Sequence, residues 1–195
     1  MSTTLTSIQQ ACTAQCRVST PLGPLLLART AVGLAGAWFD QQRYHPTAWD
    51  APHVPADPLL QRTAQQLARY FNGEAVQFDV ALDLHGTPFQ RGVWQALLRI
   101  DRGATRRYGD IAAQLGTPSA SRAVGAAVGR NPVSVIVPCH RVLGSGGALT
   151  GYAGGLERKV ALLELEQARA PSRGQAAQRE RQVERQGELP LEAAA

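Results

Sequence analysis

Val133-Ser134-Val135-Ile136-Val137-Pro138-Cys139-His140-Arg141-Val142 is the stretch on which the reading of this 195-residue chain turns. Its β-branched run (Val133, Val135, Ile136, Val137) predicts a buried strand. Pro138 has no N–H to donate and stops the ladder there. Cys139 and His140 follow at once, so a thiol and an imidazole stand together at the end of a rigid element. A nucleophilic cysteine needs such a neighbour. Taken alone, the pair is more commonly a buried structural cysteine beside a surface histidine, so the surroundings have to decide.

On the N-terminal side of this stretch, Tyr108–Leu115 and Ser119–Val128 read as two short helices. The turn between them is Gly116-Thr117-Pro118, and Ser119 caps the second helix, a helix-turn-helix pattern. The second helix is rich in small residues (Ala120, Ala123, Gly125, Ala126, Ala127), and Arg122 is its one charged side chain. It has little with which to read base edges. Small residues permit either close approach to a duplex read by backbone and shape, with Arg122 as an inserted group, or plain helix–helix packing. On the C-terminal side, Leu143–Leu149 carries Gly144-Ser145-Gly146-Gly147 at its tip and predicts a wing-like hairpin. Leu156–Arg169 predicts a final helix. At about 100° per residue, Glu166 falls between Leu162 and Leu163 on its apolar side. A carboxylate aimed at a core is costly unless paired, and a histidine is a partner that could in turn polarise a thiol. Cys139, His140 and Glu166 thus suggest a Cys/His/acid relay, with a water between the first two where their side chains diverge.

Further upstream, Thr87-Pro88 opens a helix with Phe89, Val93, Trp94, Leu97 and Leu98 on one side, and His85-Gly86 reads as a joint. Before it, Cys16–Thr20, Leu25–Arg29 and Val32–Phe39 predict strands broken by Pro21-Leu22-Gly23-Pro24 and by Gly33 and Gly36. Asp40–Ala56 predicts a surface loop. Asp57 and Pro58 form a cap and first-turn pair for a helix ending at Asn72-Gly73. Val76–Leu84 alternates as a strand would. The fold class expected is α+β, with an N-terminal α/β unit over 1–85, a C-terminal helix-turn-helix unit over 86–169, and a disordered Arg/Glu/Gln-rich tail over 170–195.

Residues 1–85 carry a net charge of −1, and residues 86–159 carry +7 from ten basic and three acidic side chains. Nineteen of the twenty basic residues are Arg, which suits phosphate-bearing partners, although a solvated basic face is the commoner meaning of charge alone. No apolar run nears the ~20 residues that cross a bilayer, and the polar N-terminus lacks the pattern of a signal peptide. A cytoplasmic protein with no membrane partner is expected. Cys12, Cys16 and Cys139 make no disulfide framework, and Cys12-x3-Cys16 is a weak metal pattern. No metal and no cofactor are expected.

Ile136-Val137-Pro138-Cys139-His140-Arg141-Val142 resembles the active-site signature of the O6-alkylguanine-DNA alkyltransferases, the methylated-DNA–protein-cysteine methyltransferases. The resemblance extends in order and spacing through Arg107-Tyr108-Gly109-Asp110-Ile111-Ala112, Ser121-Arg122-Ala123-Val124-Gly125, Asn131-Pro132, Thr150-Gly151-Tyr152-Ala153-Gly154-Gly155 and Leu162-Leu163-x-x-Glu166. It implies an N-terminal ribonuclease-H-like domain followed by a winged-helix DNA-binding and methyltransferase domain. It also implies a single-turnover enzyme, most simply a monomer, whose partner is double-stranded DNA containing alkylated bases. By the same resemblance Cys139 takes the alkyl group, His140 acts as base through water, Glu166 orients it and Asn131 braces the turn. Arg122 and Ala123 would meet the minor groove while the damaged base flips out. Tyr108 would bond guanine N3, the carbonyls of Cys139 and Val142 would accept from its amine, and Tyr152 and the Ala153 backbone would lie against the base. Position 153 is Ala where some members carry Ser, which removes one hydroxyl contact to O6. A non-catalytic lesion binder is disfavoured by Cys139, a transcription regulator by the featureless recognition helix, and a cysteine hydrolase by the lack of an evident oxyanion site.

Overall fold

The computed structural model describes residues 8–46 and 50–167. The expected tail and the end of the last predicted helix lie outside them. Three antiparallel strands, β1 (Cys12–Val18), β2 (Leu25–Thr30) and β3 (Leu34–Phe39), form a sheet in that order. Side chains alternate across it. Leu25, Leu27, Ala37 and Phe39 join the main core, and Leu26, Ala28, Ala35 and Trp38 pack on the other face with Ile8. Cys16 lies in the first cluster and Cys12 against the second, so the two thiols do not converge.

Helix α1 (Pro58–Phe71) covers the main-core face with Leu60, Leu67 and Tyr70. Asp57 caps it by accepting from the Leu59 and Leu60 amides, and Arg29 of β2 pairs with the same carboxylate at 3.1 Å. The burial of 76–82 alternates as expected, yet no strand forms there. The segment touches β3 at one bridge, Leu34 opposite Leu82. The reason is competition for one edge: Ala37 at the other end of β3 donates to Pro132 O at 2.9 Å and accepts from Ser134 N at 2.8 Å. Arg62 and Gln66 of α1 instead hold the segment through Asp79.

The second part comprises α2 (Pro88–Leu98), β4 (Arg106–Arg107), α3 (Tyr108–Gln114), α4 (Ser121–Gly129), β5 (Val142–Leu143) and α5 (Leu156–Leu165). Thr87 and Gln90 form a reciprocal cap on α2. The indole of Trp94 donates to Ala127 O at 2.9 Å and fixes α2 against α4. Three local expectations need correction. Helix α4 starts at Ser121, not at a Ser119 cap: Pro118 opens a short 3₁₀ turn that takes in Ser119, and Ala120 stands at the cap position without a side-chain bond. The predicted wing hairpin is a compact turn closed by Gly144 N–H to Ala148 O at 2.8 Å. Its glycines 146 and 147 adopt positive φ, and β5 pairs in parallel with β4 instead. Residues 133–137 are buried, but they form a turn rather than a strand. Val135 sits at φ 72°, and Asn131 Nδ2 takes the carbonyls of Val133 and Val137 that a strand would offer to a neighbour.

No helix among the described residues is long and apolar enough to cross a membrane. Replacing Trp94 by Phe removes the donor to Ala127 O and keeps most of the ring. It should destabilise the fold by about 1–3 kcal/mol through the lost indole bond, with Ala127 O keeping its bond from Arg130 N at 3.1 Å, and through the space left by the smaller ring, read as a lower urea midpoint at unchanged m-value.

Candidate active site

Asn131, 4% exposed, is the brace of the site. Its Oδ1 accepts from Val133 N at 3.0 Å, and its Nδ2 reaches Val133 O, Val137 O and the Sγ of Cys139, the last at 3.0 Å. One amide therefore shapes the turn and points a donor at the thiol. Cys139 opens a single 3₁₀ turn, Cys139–Arg141, and is itself buried. Burial pushes its thiol up to about 11, against the pull of the Asn131 bond, the Lys159 charge and the nearby amides of Cys139 and His140. At rest the sulfur carries its proton.

His140 is fully buried, and its Nε2 faces Glu166 Oε1 at 3.1 Å. Burial lowers the imidazole below its ordinary value despite the carboxylate beside it, and the charges of Arg141 and Lys159 push the same way. The ring is thus neutral at pH 7. With Nε2–H donated to Glu166, the lone pair lies on Nδ1. That atom is buried with no hydrogen-bond partner among the described residues.

Glu166, at the C-cap of α5, gathers every donor around it. Oε1 also accepts from Tyr70 Oη at 2.6 Å and Arg141 Nη2 at 2.7 Å, and Oε2 accepts from Arg141 Nε at 2.8 Å. Burial alone would raise its pKa, but the bonds from His140 and Arg141 win and hold the carboxyl well below the usual range. Cys139, His140, Asn131 and Glu166, singled out in the sequence, therefore meet in space. No bond joins the imidazole to the sulfur directly.

Tyr108, first residue of α3, places its hydroxyl at 3.4 Å from both Thr150 O and Gly151 O. Gly125 of α4 faces that ring, where an added Cβ would make ordinary contact at 3.8 Å. Arg122 and Ala123 are exposed on α4, away from the buried thiol. The Cys139 carbonyl receives Val142 N–H, and the Val142 carbonyl receives Lys159 Nζ at 2.6 Å, which leaves each a second lone pair. The Tyr152 hydroxyl is buried near Ser134 and Cys139. Ala153 offers its carbonyl to Arg43 N at 2.9 Å.

The sequence reading missed Lys159, Tyr70 and Arg141. Lys159 is wholly buried, and its ammonium joins Val142 O to Thr150 O (2.7 Å), the two backbone walls around the thiol. Burial lowers it to about 8. The helical wheel that singled out Glu166 puts Lys159 on the same face, one turn from Leu162 and Leu163, so that signal was present. Tyr70 had none, because its role depends on how the two parts dock, and Arg141 had none in its own segment, because its carboxylate partner Glu166 lies on another element of the same part. Among the described residues, no group of three or more His, Cys, Asp or Glu side chains is placed to hold a metal.

Replacing Glu166 by Gln leaves the Arg141 charge unpaired in a buried site and should cost about 3–5 kcal/mol at pH 7. Because the folded carboxyl is held low, its contribution is fully present above the free Glu value near ~4.3 and is lost as pH falls through the folded value. The gap in unfolding free energy between wild type and Glu166→Gln should therefore begin to narrow below about pH 4 in a pH series of denaturant melts.

Two family models match the chain in tandem: the ribonuclease-like domain of 6-O-methylguanine DNA methyltransferase over residues 17–84, and its DNA-binding domain over residues 88–168. A methylated-DNA–protein-cysteine methyltransferase of Mycobacterium tuberculosis is 51% identical over 80% of this chain and 93% of its own length. That of Methanosarcina acetivorans is 48% identical over 75% and 93%. Among solved structures, the Mycobacterium tuberculosis OGT in complex with DNA matches with a TM-score of 0.72 at 50% identity, covering 82% of this chain and 96% of that one. With the tandem domains, these identities and the geometry around Cys139 in agreement, this chain belongs to the methylated-DNA–protein-cysteine methyltransferase family.

Proposed function

We propose that this protein repairs alkylated DNA by moving the alkyl group from guanine O6 to its own Cys139. The observation that carries the reading is a buried, protonated thiol held by Asn131 beside a neutral imidazole whose free Nδ1 is its only unspent polar atom. Burial raises the thiol and lowers the imidazole, so the resting pair is neutral and not a thiolate–imidazolium ion pair. The proton must therefore leave as sulfur attacks. A water between Sγ and Nδ1 passes it to His140, and Glu166 stabilises the imidazolium that forms. Sulfur bonds to the alkyl carbon in line with the breaking carbon–O6 bond. The guanine leaves with the electron pair, and its negative charge is met by the Tyr108 hydroxyl at N3. The S-alkyl thioether has no hydrolytic route back, so each chain acts once.

The buried thiol cannot reach a base inside a duplex. The damaged nucleotide is extruded from the minor-groove side, at a cost of a few kcal/mol that a weakened base pair reduces, and Arg122 fills the gap it leaves. The freed guanine amine uses the second lone pairs of the Cys139 and Val142 carbonyls, while Tyr152 and the Ala153 backbone lie against the base. O4-alkylthymine, with the same alkyl–oxygen geometry, is a second substrate. The reading is of a cytoplasmic monomer working on DNA through residues 86–169, with 1–85 as the supporting domain.

Incubation with an O6-methylguanine duplex should add one methyl group to the peptide holding Cys139, detected by mass spectrometry; intact protein with that peptide unmodified would overturn the assignment. Cys139→Ala should bind the duplex and transfer nothing. For Arg122→Ala the transfer rate should fall with duplex substrate and hold with the free alkylated base. Equal losses on both would exclude a role in extrusion.

A further inference from the structure

The loop that follows β3 carries an arrangement that alkyl transfer does not use. The ring of Tyr44 has two guanidinium groups over it, Arg43 Cζ at 5.0 Å and Arg130 Cζ at 5.3 Å from the centroid. The first belongs to the N-terminal sheet domain and the second to the end of α4. Both arginines are exposed, and neither is ion-paired to a carboxylate among the described residues. Asp40, the acid nearest in sequence, faces Arg17 and His45 instead.

The loop is built to hold this shape. Gln41 and Tyr44 both adopt left-handed backbone, at φ 62° and 64°, which side-chain-bearing residues keep only where their surroundings enforce it. Here the buried Gln42 supplies the enforcement. Its Oε1 accepts from Phe39 N at 2.9 Å and from Ser134 Oγ at 3.1 Å, while Arg43 N is tied to Ala153 O. Two like charges fixed across one ring repel each other, and an anion placed between or beside them relieves that repulsion. Planar guanidinium donors suit phosphate oxygens.

The position of the stack names the anion. Arg122, Ala126 and Arg130 recur every fourth residue and so share one exposed side of α4 and its cap, and Arg130 Nη1 lies back against Ala126 O at 3.3 Å. By helix rise, Arg130 is about 12 Å along the helix from Arg122. At roughly 3.4 Å per phosphate along a strand, that is a few nucleotides away. We propose that Arg43 and Arg130, spaced by Tyr44, form a phosphate-binding clamp that carries the DNA interface from α4 onto the N-terminal domain. The proposal rests on the DNA-repair reading above.

The test uses the full chain, with Arg43→Ala, Arg130→Ala and the two corresponding Lys variants. Affinity for a duplex with and without O6-methylguanine is measured across salt. Each Ala variant should bind both duplexes more weakly by the same factor, and its log-affinity against log-salt slope should fall by about 0.9 for each phosphate that is no longer neutralised. The wild-type advantage should then shrink about threefold between roughly 50 and 200 mM salt. The Lys variants, which keep the charge, should keep the slope. Transfer from free O6-methylguanine base should stay at the wild-type rate in all four. Wild-type slopes in both Ala variants would overturn the clamp, as would a fall in free-base transfer in step with binding, which would make the stack a domain staple. If the wild type transfers nothing from alkylated duplex, the repair reading falls instead.

Discussion

One buried carboxylate organises this molecule. Glu166 lies at the end of α5, shielded from water, and meets donors from two separate elements: Tyr70 of α1, and His140 and Arg141 of the turn after Pro138. An isolated ion in that position would be expelled or neutralised. Its retention as an anion requires all of these donors at once, so the charge couples the docking of the first domain to the shape of the site in the second. The division of labour between its two charged neighbours matters as much. Arg141 supplies the permanent positive charge, so His140 has no need to be charged and its ring stays a base. Its tautomer is set by the same contact, which directs the lone pair of Nδ1 away from Glu166.

The thiol is governed by a second constraint of the same kind. A strand ending at Cys139 would present its carbonyls to a neighbour. Asn131 instead takes those of Val133 and Val137, forces Val135 to φ 72° and spends what remains of its amide on Sγ. The strained valine is stabilised by its complete burial and by the pairing of Ser134 with Ala37. Lys159 then stitches the far wall by joining Val142 O to Thr150 O. A cation this close favours thiolate, whereas burial opposes it more strongly. The balance keeps the sulfur protonated at rest.

Much of this was legible in the sequence, and the gaps have physical causes. Helix α1 was readable because Asp57-Pro58 and Asn72-Gly73 are local signals, and α2 because Thr87-Pro88 is one. Glu166 was readable because a charged residue on an apolar stripe breaks a pattern. Lys159 breaks the same pattern, but a lysine in the first turns of a helix is ordinarily read as reaching solvent. The turn at 133–137 was unreadable from periodicity, which registers burial and not the identity of the group that satisfies the backbone; a β-branched run buried as a turn and one buried as a strand look alike. The extended segment at 76–84 failed for a different reason. Its own alternation is sound, but whether it becomes a strand depended on how much of the β3 edge Pro132 and Ser134 had already taken.

That competition for the β3 edge explains why a sheet domain without a reactive group accompanies the chemistry. Its principal hydrogen bonds to the second domain fall on backbone or side-chain groups that shape the site. Ala37 holds the Pro132–Ser134 backbone, Gln42 holds Ser134, Arg43 N holds Ala153 and Tyr70 holds Glu166. In the other direction, Arg158 of α5 reaches Leu22 O and stacks on Phe39, clamping the loop that carries Tyr152 and Ala153 from its far end. The second domain alone would have to keep a left-handed valine, a buried carboxylate and a two-carbonyl lysine bridge in register with a core of short helices. Two adjoining turns, at 131–141 and 150–155, are thereby tied down by hydrogen bonds although neither contains any long element. A site that transfers an alkyl group to a cysteine needs its reacting groups held in place more than it needs additional reactive groups.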